Sequence, residues 1–120
     1  MPKPLPLLTD AGPVCCAPLG SSDSRLTIEA ATEVAVRLKA LADPVRLRLV
    51  DHLAARPGLE DSASSLSAVV GLADSTTNHH LKQLLNAGVV SKRRDGMNVH
   101  YRLTPASLSA IAGVLNATCC

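Results

Sequence analysis

The feature that most constrains this chain is what it lacks: across 120 residues there is no Phe, no Trp and a single Tyr, Tyr101, while 47% of the residues are hydrophobic. Leu, Ala and Val supply nearly all of that apolar content. A core without rings suits helices that pack closely, and it argues against a sandwich or barrel built on large β-formers. It also argues against nucleic-acid binding by base stacking, which needs aromatic platforms. A chain of this length buries only about two thirds of its unfolded surface, so core borrowed from a second subunit would help it.

The net charge of +2 is unevenly placed. Residues 1–74 carry seven Lys/Arg against nine Asp/Glu, whereas residues 75–104 carry Lys82, Lys92, Arg93, Arg94 and Arg102 against Asp95 alone. His79, His80 and His100 fall in the same stretch. Such a concentration reads either as a solvated basic surface or as one face that meets a polyanion.

The elements follow from periodicity and punctuation. Residues 1–24 are rich in Pro, Gly and Ser and read as a flexible arm. Thr27 then offers an N-cap, and Ile28, Ala31, Ala35, Leu38 and Ala42 recur at helical spacing along one seam. Asp43-Pro44 is the clearest helix start, a capping carboxylate followed by proline at the first helical position. That helix is expected to run to about Ala55, where Arg56-Pro57-Gly58 ends it. Residues 59–64 read as a loop. A short helix is expected over Ser65–Val70 and a longer one over Ser75–Ala87, with Asp74 as its cap and Gly88 just past its end. Two helices joined around Gly71 describe a helix-turn-helix.

After Gly88 the period changes to two. Asp95-Gly96 is a strong hairpin signal, and Val99, Tyr101 and Leu103 alternate on the return strand. Thr104-Pro105 starts a last helix with an apolar stripe of Leu108, Ile111, Ala112 and Leu115. The expected fold is mainly α with a two-stranded β wing, a winged helix-turn-helix. Its domain is placed at residues 25–118, between the arm at 1–24 and a terminal Cys pair at 119–120.

The fourth helix carries Ser75, Thr76, Asn78, His79, Lys82 and Gln83 on its polar side. These side chains suit phosphate and base edges in a major groove. Lys92, Arg93 and Arg94 on the adjacent hairpin would extend that surface along the backbone. Adjacent helical residues point about 100° apart, so His79 and His80 cannot chelate one ion. One is expected to face DNA and the other to pack or cap a turn.

Cys15-Cys16 and Cys119-Cys120 are the only cysteines. Adjacent Cα atoms lie about 3.8 Å apart, short of the roughly 5.5 Å that disulfides prefer, so each pair suits presenting two thiolates to one partner. Met1–Pro18 has five prolines and no apolar run of a secretory signal. No stretch approaches the length of a membrane span. The expected setting is cytoplasmic, with reduced thiols and no membrane partner.

The runs Leu41-Ala-Asp-Pro-Val-Arg-Leu-Arg-Leu-Val50, Gly71-Leu-Ala-Asp-Ser-Thr-Thr-Asn-His-His-Leu-Lys-Gln-Leu84, Ala87-Gly-Val-Val90, Arg94-Asp-Gly96 and Val99-His-Tyr-Arg-Leu103 resemble the ArsR/SmtB family of metal-sensing repressors over about residues 30–104. The resemblance implies a winged-helix homodimer joined through its first and last helices. Carried to this chain, Ile28, Ala35, Leu38, Leu108, Ile111 and Leu115 become the dimer interface. It also implies repression on operator double-stranded DNA, with release when an ion binds.

Two ion sites common in the family lack their ligands here. The Cys-x-Cys position near the third helix is occupied by Ser62 and Ser64, and Pro105–Cys120 contains no His, Asp or Glu. Some arsenic sensors of the family instead hold a vicinal Cys pair in the N-terminal arm, completed by a thiolate from the other subunit. By that resemblance Cys15 and Cys16 would bind As(III) or Sb(III) as inducer, with no organic cofactor. The family's third Cys, after the second helix, has no counterpart in Ala54-Ala55-Arg56-Pro57-Gly58, which leaves Cys119 or Cys120 of the other subunit as the candidates to join them. Soft thiolates would also accept Cd(II), Pb(II) or Bi(III). A thiol-redox repressor of the same fold and a metal carrier without regulatory function are the competing readings. No dinucleotide fingerprint or Cys-x-x-Cys supports an enzyme.

Overall fold

A computed structural model of the chain describes residues 26–115. By its packing the chain separates into two units, one of residues 36–105 and one holding, of the described residues, 26–35 and 106–115. Helix α1 spans Ile28–Leu41, α2 Pro44–Ala54, α3 Ala63–Val70, α4 Asp74–Asn86 and α5 Pro105–Leu115. Strand β1 is Glu60–Ser62, β2 Val90–Asp95 and β3 Asn98–Leu103. The mainly helical winged helix-turn-helix expected from the sequence is therefore present, with one addition to its sheet.

That addition corrects the reading of residues 59–64 as a loop and of the wing as two-stranded. Pro57–Leu59 forms a 3-10 turn, and Glu60–Ser62 pairs antiparallel with β3, giving a three-stranded sheet in the order β1-β3-β2. Glu-Asp-Ser has little intrinsic strand preference. It pairs because a hairpin leaves the outer edge of β3 with unpaired backbone groups, and because Glu60 then lies opposite Arg102. Arg102 Nε also donates to the Gly58 carbonyl at 3.1 Å, tying the turn to the sheet.

The helix starts are set by side-chain caps. Asp43 Oδ1 accepts from the backbone N–H of Val45 at 2.8 Å and of Arg46 at 3.2 Å, ahead of Pro44. Thr27 Oγ1 accepts from Ala30 N–H at 3.1 Å. Ser62 Oγ accepts from Ser65 N–H at 3.2 Å, so α3 begins two residues before the sequence suggested. Asp74 is not a cap. Ala73 holds that position without a side-chain bond, and Asp74 is the first residue inside α4, where its charge favours the helix dipole.

The turn between α3 and α4 depends on Gly71 at φ 70°, a left-handed conformation that ends α3 and returns the Gly71 N–H to the Ser67 carbonyl. The hairpin needs Gly96 for the same reason: with Asp95 paired to Asn98, only Gly96 and Met97 remain to reverse the chain, and Gly96 sits at φ 65°. The core of the 36–105 unit is Leu49 and Leu53 from α2, Leu66 from α3, Leu81 and Leu84 from α4, and Val89, all fully buried. Each such leucine is worth about 1.5–3 kcal/mol of burial. Tyr101 and Leu103 close it from the sheet.

On α5, Ser107, Ile111 and Gly113 are buried while Leu115 is exposed. No helix among the described residues is long and apolar enough to cross a membrane.

Candidate nucleic-acid interface

Helix α4 buries Thr77, Leu81 and Leu84, which lie on one side at helical spacing. The opposite row is Ser75, His79, Lys82 and Asn86, all exposed. Asn78 flanks this row toward the hairpin, and it lines two cavities there together with Val99. Gln83 flanks it on the other side, where it is half-buried beside Val36, Lys39, Ala40 and Arg46. The polar residues expected from the sequence are thus split. Ser75, Asn78, His79 and Lys82 form one outward surface with the exposed Thr76 at its edge, and Gln83 turns away from the wing. Asn86 joins the outward row. It is absent from the sequence expectation, although its spacing of four residues after Lys82 is a signal that could have found it.

The two histidines part in the structure. His79 is exposed, whereas His80 packs toward α2 with its Nδ1 4.0 Å from Asp43 Oδ1. Desolvation pushes the Asp43 carboxyl up. The Arg46 and Val45 N–H bonds, with His80 and Arg46 nearby, outweigh it and hold the group below its ordinary value. The N-cap of α2 therefore also seats α4.

Strand geometry divides the three basic residues of β2. Side chains alternate between the two faces of a sheet, and cross-strand partners share a face. Lys92 is paired with Tyr101 and Arg94 with Val99, so both lie on the face that carries Tyr101. Arg93 is paired with His100 and lies on the other face. There its Nε bonds Glu60 Oε2 at 2.7 Å, and Asp95 is 4.0 Å away. The hydrogen bond and charge of Glu60 raise the guanidinium's pKa further. Arg93 braces β1 against the hairpin, while Lys92 and Arg94 are presented with α4.

A polar cluster sets the entry to α3. Asp61 Oδ2 accepts from Ser65 Oγ at 2.8 Å and meets His52 Nε2 at 2.7 Å, with Arg56 Nε at 3.7 Å. Asp61 Oδ1 accepts from Ser62 N–H at 2.8 Å. Burial pushes this carboxyl up, but these bonds and the Arg56 charge together hold it below its ordinary value. The cluster locks α2 to the start of the helix-turn-helix. Ser62 and Ser64 lie here with their hydroxyls 3.4 Å apart, serving as cap and neighbour.

Among the described residues no three of His, Cys, Asp or Glu gather where a metal could sit. Cys15, Cys16, Cys119 and Cys120 lie outside the described residues, as does the arm at 1–24. Of the expected interface residues, Ile28 is 74% exposed and Leu38 38%. Ala35 is also exposed and Leu108 half-buried, while Ile111 is already buried within the chain. Ile111 therefore has little further surface to give an interface, whereas Leu115, 51% exposed, has much.

Residues 41–93 match the model of a helix-turn-helix domain family. The biofilm growth-associated repressor of Agrobacterium fabrum is 37% identical over 90 residues, covering 75% of this chain and 74% of the relative. A homodimeric winged helix-turn-helix DNA-binding domain of Mycobacterium bovis superimposes with a TM-score of 0.64 at 28% identity, over 78% of this chain and 82% of that one. An antimony-specific transcriptional repressor, AntR, gives a TM-score of 0.62 at 33% identity over 80% and 87%. The chain belongs to the ArsR/SmtB family of winged helix-turn-helix transcriptional regulators, and it is a DNA-binding repressor of that type.

Proposed function

We propose that this repressor binds operator double-stranded DNA as a homodimer through α1 and α5, and that As(III) or Sb(III) held by cysteine thiolates releases it. One observation carries the DNA half: the outward row of α4 and the Lys92/Arg94 face of the hairpin lie on the same side of one folded unit. A recognition helix in the major groove with a basic strand pair beside it gives a continuous surface for bases and phosphates. The exposed apolar seam of α1 supports self-association. The Mycobacterium bovis neighbour, itself homodimeric, supports it further.

The inducer reading rests on donor chemistry. The chain's only cysteines are two vicinal pairs, and all-sulfur sites select thiophilic ions. The antimony-specific neighbour favours the same ion class. Cys15 and Cys16, with Cys119 or Cys120 of the second subunit, would hold the ion in trigonal geometry. Restraint at the helices that join the subunits would change the spacing of the two α4 helices, which must match major grooves about 34 Å apart.

Fluorescence anisotropy on DNA from upstream of the gene tests both halves. Tight binding should weaken steeply with salt, and arsenite or antimonite should lower it at least about tenfold, a coupling of about 1.4 kcal/mol. Undiminished affinity at saturating ion overturns the inducer. If Cys119→Ser/Cys120→Ser leaves ion affinity and release unchanged, the cross-subunit site falls. Peroxide replacing arsenite as the effective agent would favour the redox reading.

A further inference from the structure

Between α4 and the hairpin lies a cavity of about 390 Å³ whose polar lining is Asn78, Lys82, Asn86, Lys92 and Tyr101, over an apolar floor that includes Leu85 and Val99. No carboxylate lines it. A smaller cavity of about 190 Å³ adjoins it through Asn78 and Val99, with Asp74 on its lining. Lys82 and Lys92 make no ion pair among the described residues. Lys92 stands directly across the strand pair from Tyr101.

Tyr101 is the chain's only Phe, Tyr or Trp side chain. Only 6% of it is exposed, yet its hydroxyl makes no hydrogen bond among the described residues. The ring is buried, but the hydroxyl oxygen keeps contact with solvent and is free to take a ligand. Here the hydroxyl belongs to a residue that lines a cavity with two ammonium groups and two side-chain amides. That lining is rich in donors: six ammonium N–H, four amide N–H and one phenol O–H. Burial raises the phenol's pKa, so it stays protonated and able to donate.

The position of the cavity suggests what fills it. With α4 in the major groove, the sugar–phosphate strand that borders the groove runs beside the helix, and the cavity lies along that flank between α4 and the hairpin. We infer that the cavity seats one backbone phosphate of that strand, held by Lys82 and Lys92 and hydrogen-bonded by the Tyr101 hydroxyl. The inference rests on the DNA reading above and adds a site to it. The phosphate fixes the register of α4 without reading sequence, and a lone ring that served no stacking role becomes a backbone ligand.

The test compares wild type with Tyr101→Phe, which keeps the ring and removes only the donor, and with Lys92→Ala. Binding is measured on operator and random duplexes and on operators with single methylphosphonate substitutions. Urea unfolding confirms that each variant is folded. Tyr101→Phe should weaken operator and random DNA alike by roughly tenfold, with an unchanged salt slope. Lys92→Ala should lower the slope by about one, the share of a single phosphate-neutralising lysine. One methylphosphonate position per half-site should cost wild type most and cost Tyr101→Phe distinctly less.

An unaffected Tyr101→Phe, or a loss that simply adds to every methylphosphonate penalty, overturns the phosphate seat while leaving the DNA reading intact. Wild type that binds no duplex overturns both. Release of the operator by millimolar inorganic phosphate, beyond a chloride control of equal ionic strength, makes the seat one for a free anion and overturns its assignment to the strand.

Discussion

Helices α1 and α4 have nearly the same length and both carry an apolar face, but only one has that face covered. Helix α4 turns Thr77, Leu81 and Leu84 into the core and leaves a polar row outside. Helix α1 buries a single residue, Ala40, and exposes Ile28, Val36 and Leu38. Amphipathic spacing therefore reports that a helix has an apolar side without reporting what covers it. In α4 the cover is the chain's own core. In α1 most of the seam faces outward, as one side of a subunit contact would.

The same contrast recurs within β2. Lys92 and Arg94 stand with α4, whereas Arg93, between them in sequence, is occupied by Glu60 on the other face. Three adjacent basic residues look equivalent in a charge count, yet strand alternation gives them two different tasks.

The comparison of the helices can be broken most directly through the core. Leu84→Ala should cost about 2–5 kcal/mol of unfolding free energy, because a fully buried leucine leaves a cavity behind. Leu38→Ala should cost well under that in dilute protein, and urea titrations of the two variants check the gap. Equal losses at low concentration would mean that the α1 seam is already covered within one chain.

Leu38→Asp probes the next largest effect. It should weaken self-association at least tenfold, about 1.4 kcal/mol, with helix content by circular dichroism unchanged. Sedimentation across a concentration series gives the dissociation constant. Operator affinity should fall with it, since one subunit holds only one half-site.

The contrast within β2 is sharpened by Arg93→Ala set beside Lys92→Ala. Arg93→Ala should leave the salt dependence of DNA binding close to wild type, while Lys92→Ala lowers it. A drop in slope with Arg93→Ala equal to that with Lys92→Ala would return Arg93 to the DNA surface.

The smallest effect concerns acid. Asp43 and Asp61 have folded pKa values below their unfolded ones. Their stabilisation is complete above the unfolded value, about 3.9, and is lost as pH falls through the lower folded value. Asp61→Asn should flatten the acid side of the stability profile below about pH 4 and leave the slope near neutrality unchanged.

Much of the fold was legible because its signals are local. Asp43-Pro44, Gly71, Gly88 and Asp95-Gly96 each act through their own backbone conformation or the next few N–H groups, and all four mark boundaries where the sequence placed them. Strand β1 was not legible, since Glu60-Asp61-Ser62 becomes a strand only by pairing with β3, some forty residues on. Asp74 misled for a related reason: its type suits a cap, but the turn after Gly71 places Ala73 at that position. Of the site, the outward row of α4 followed from helical spacing, whereas the diversion of Gln83 and Arg93 depended on their neighbours in space.

The sequence by itself determined the helix-turn-helix, the hairpin and the ring-free core, since each depends on residue type and short-range order. The tertiary structure alone decided which basic residues stand together, which histidine is tucked against Asp43, and that Tyr101 meets Lys92 and Lys82 around one cavity. Those outcomes depend on which strand face and which helix flank come into contact, and contacts between residues distant in the chain leave no mark on local sequence.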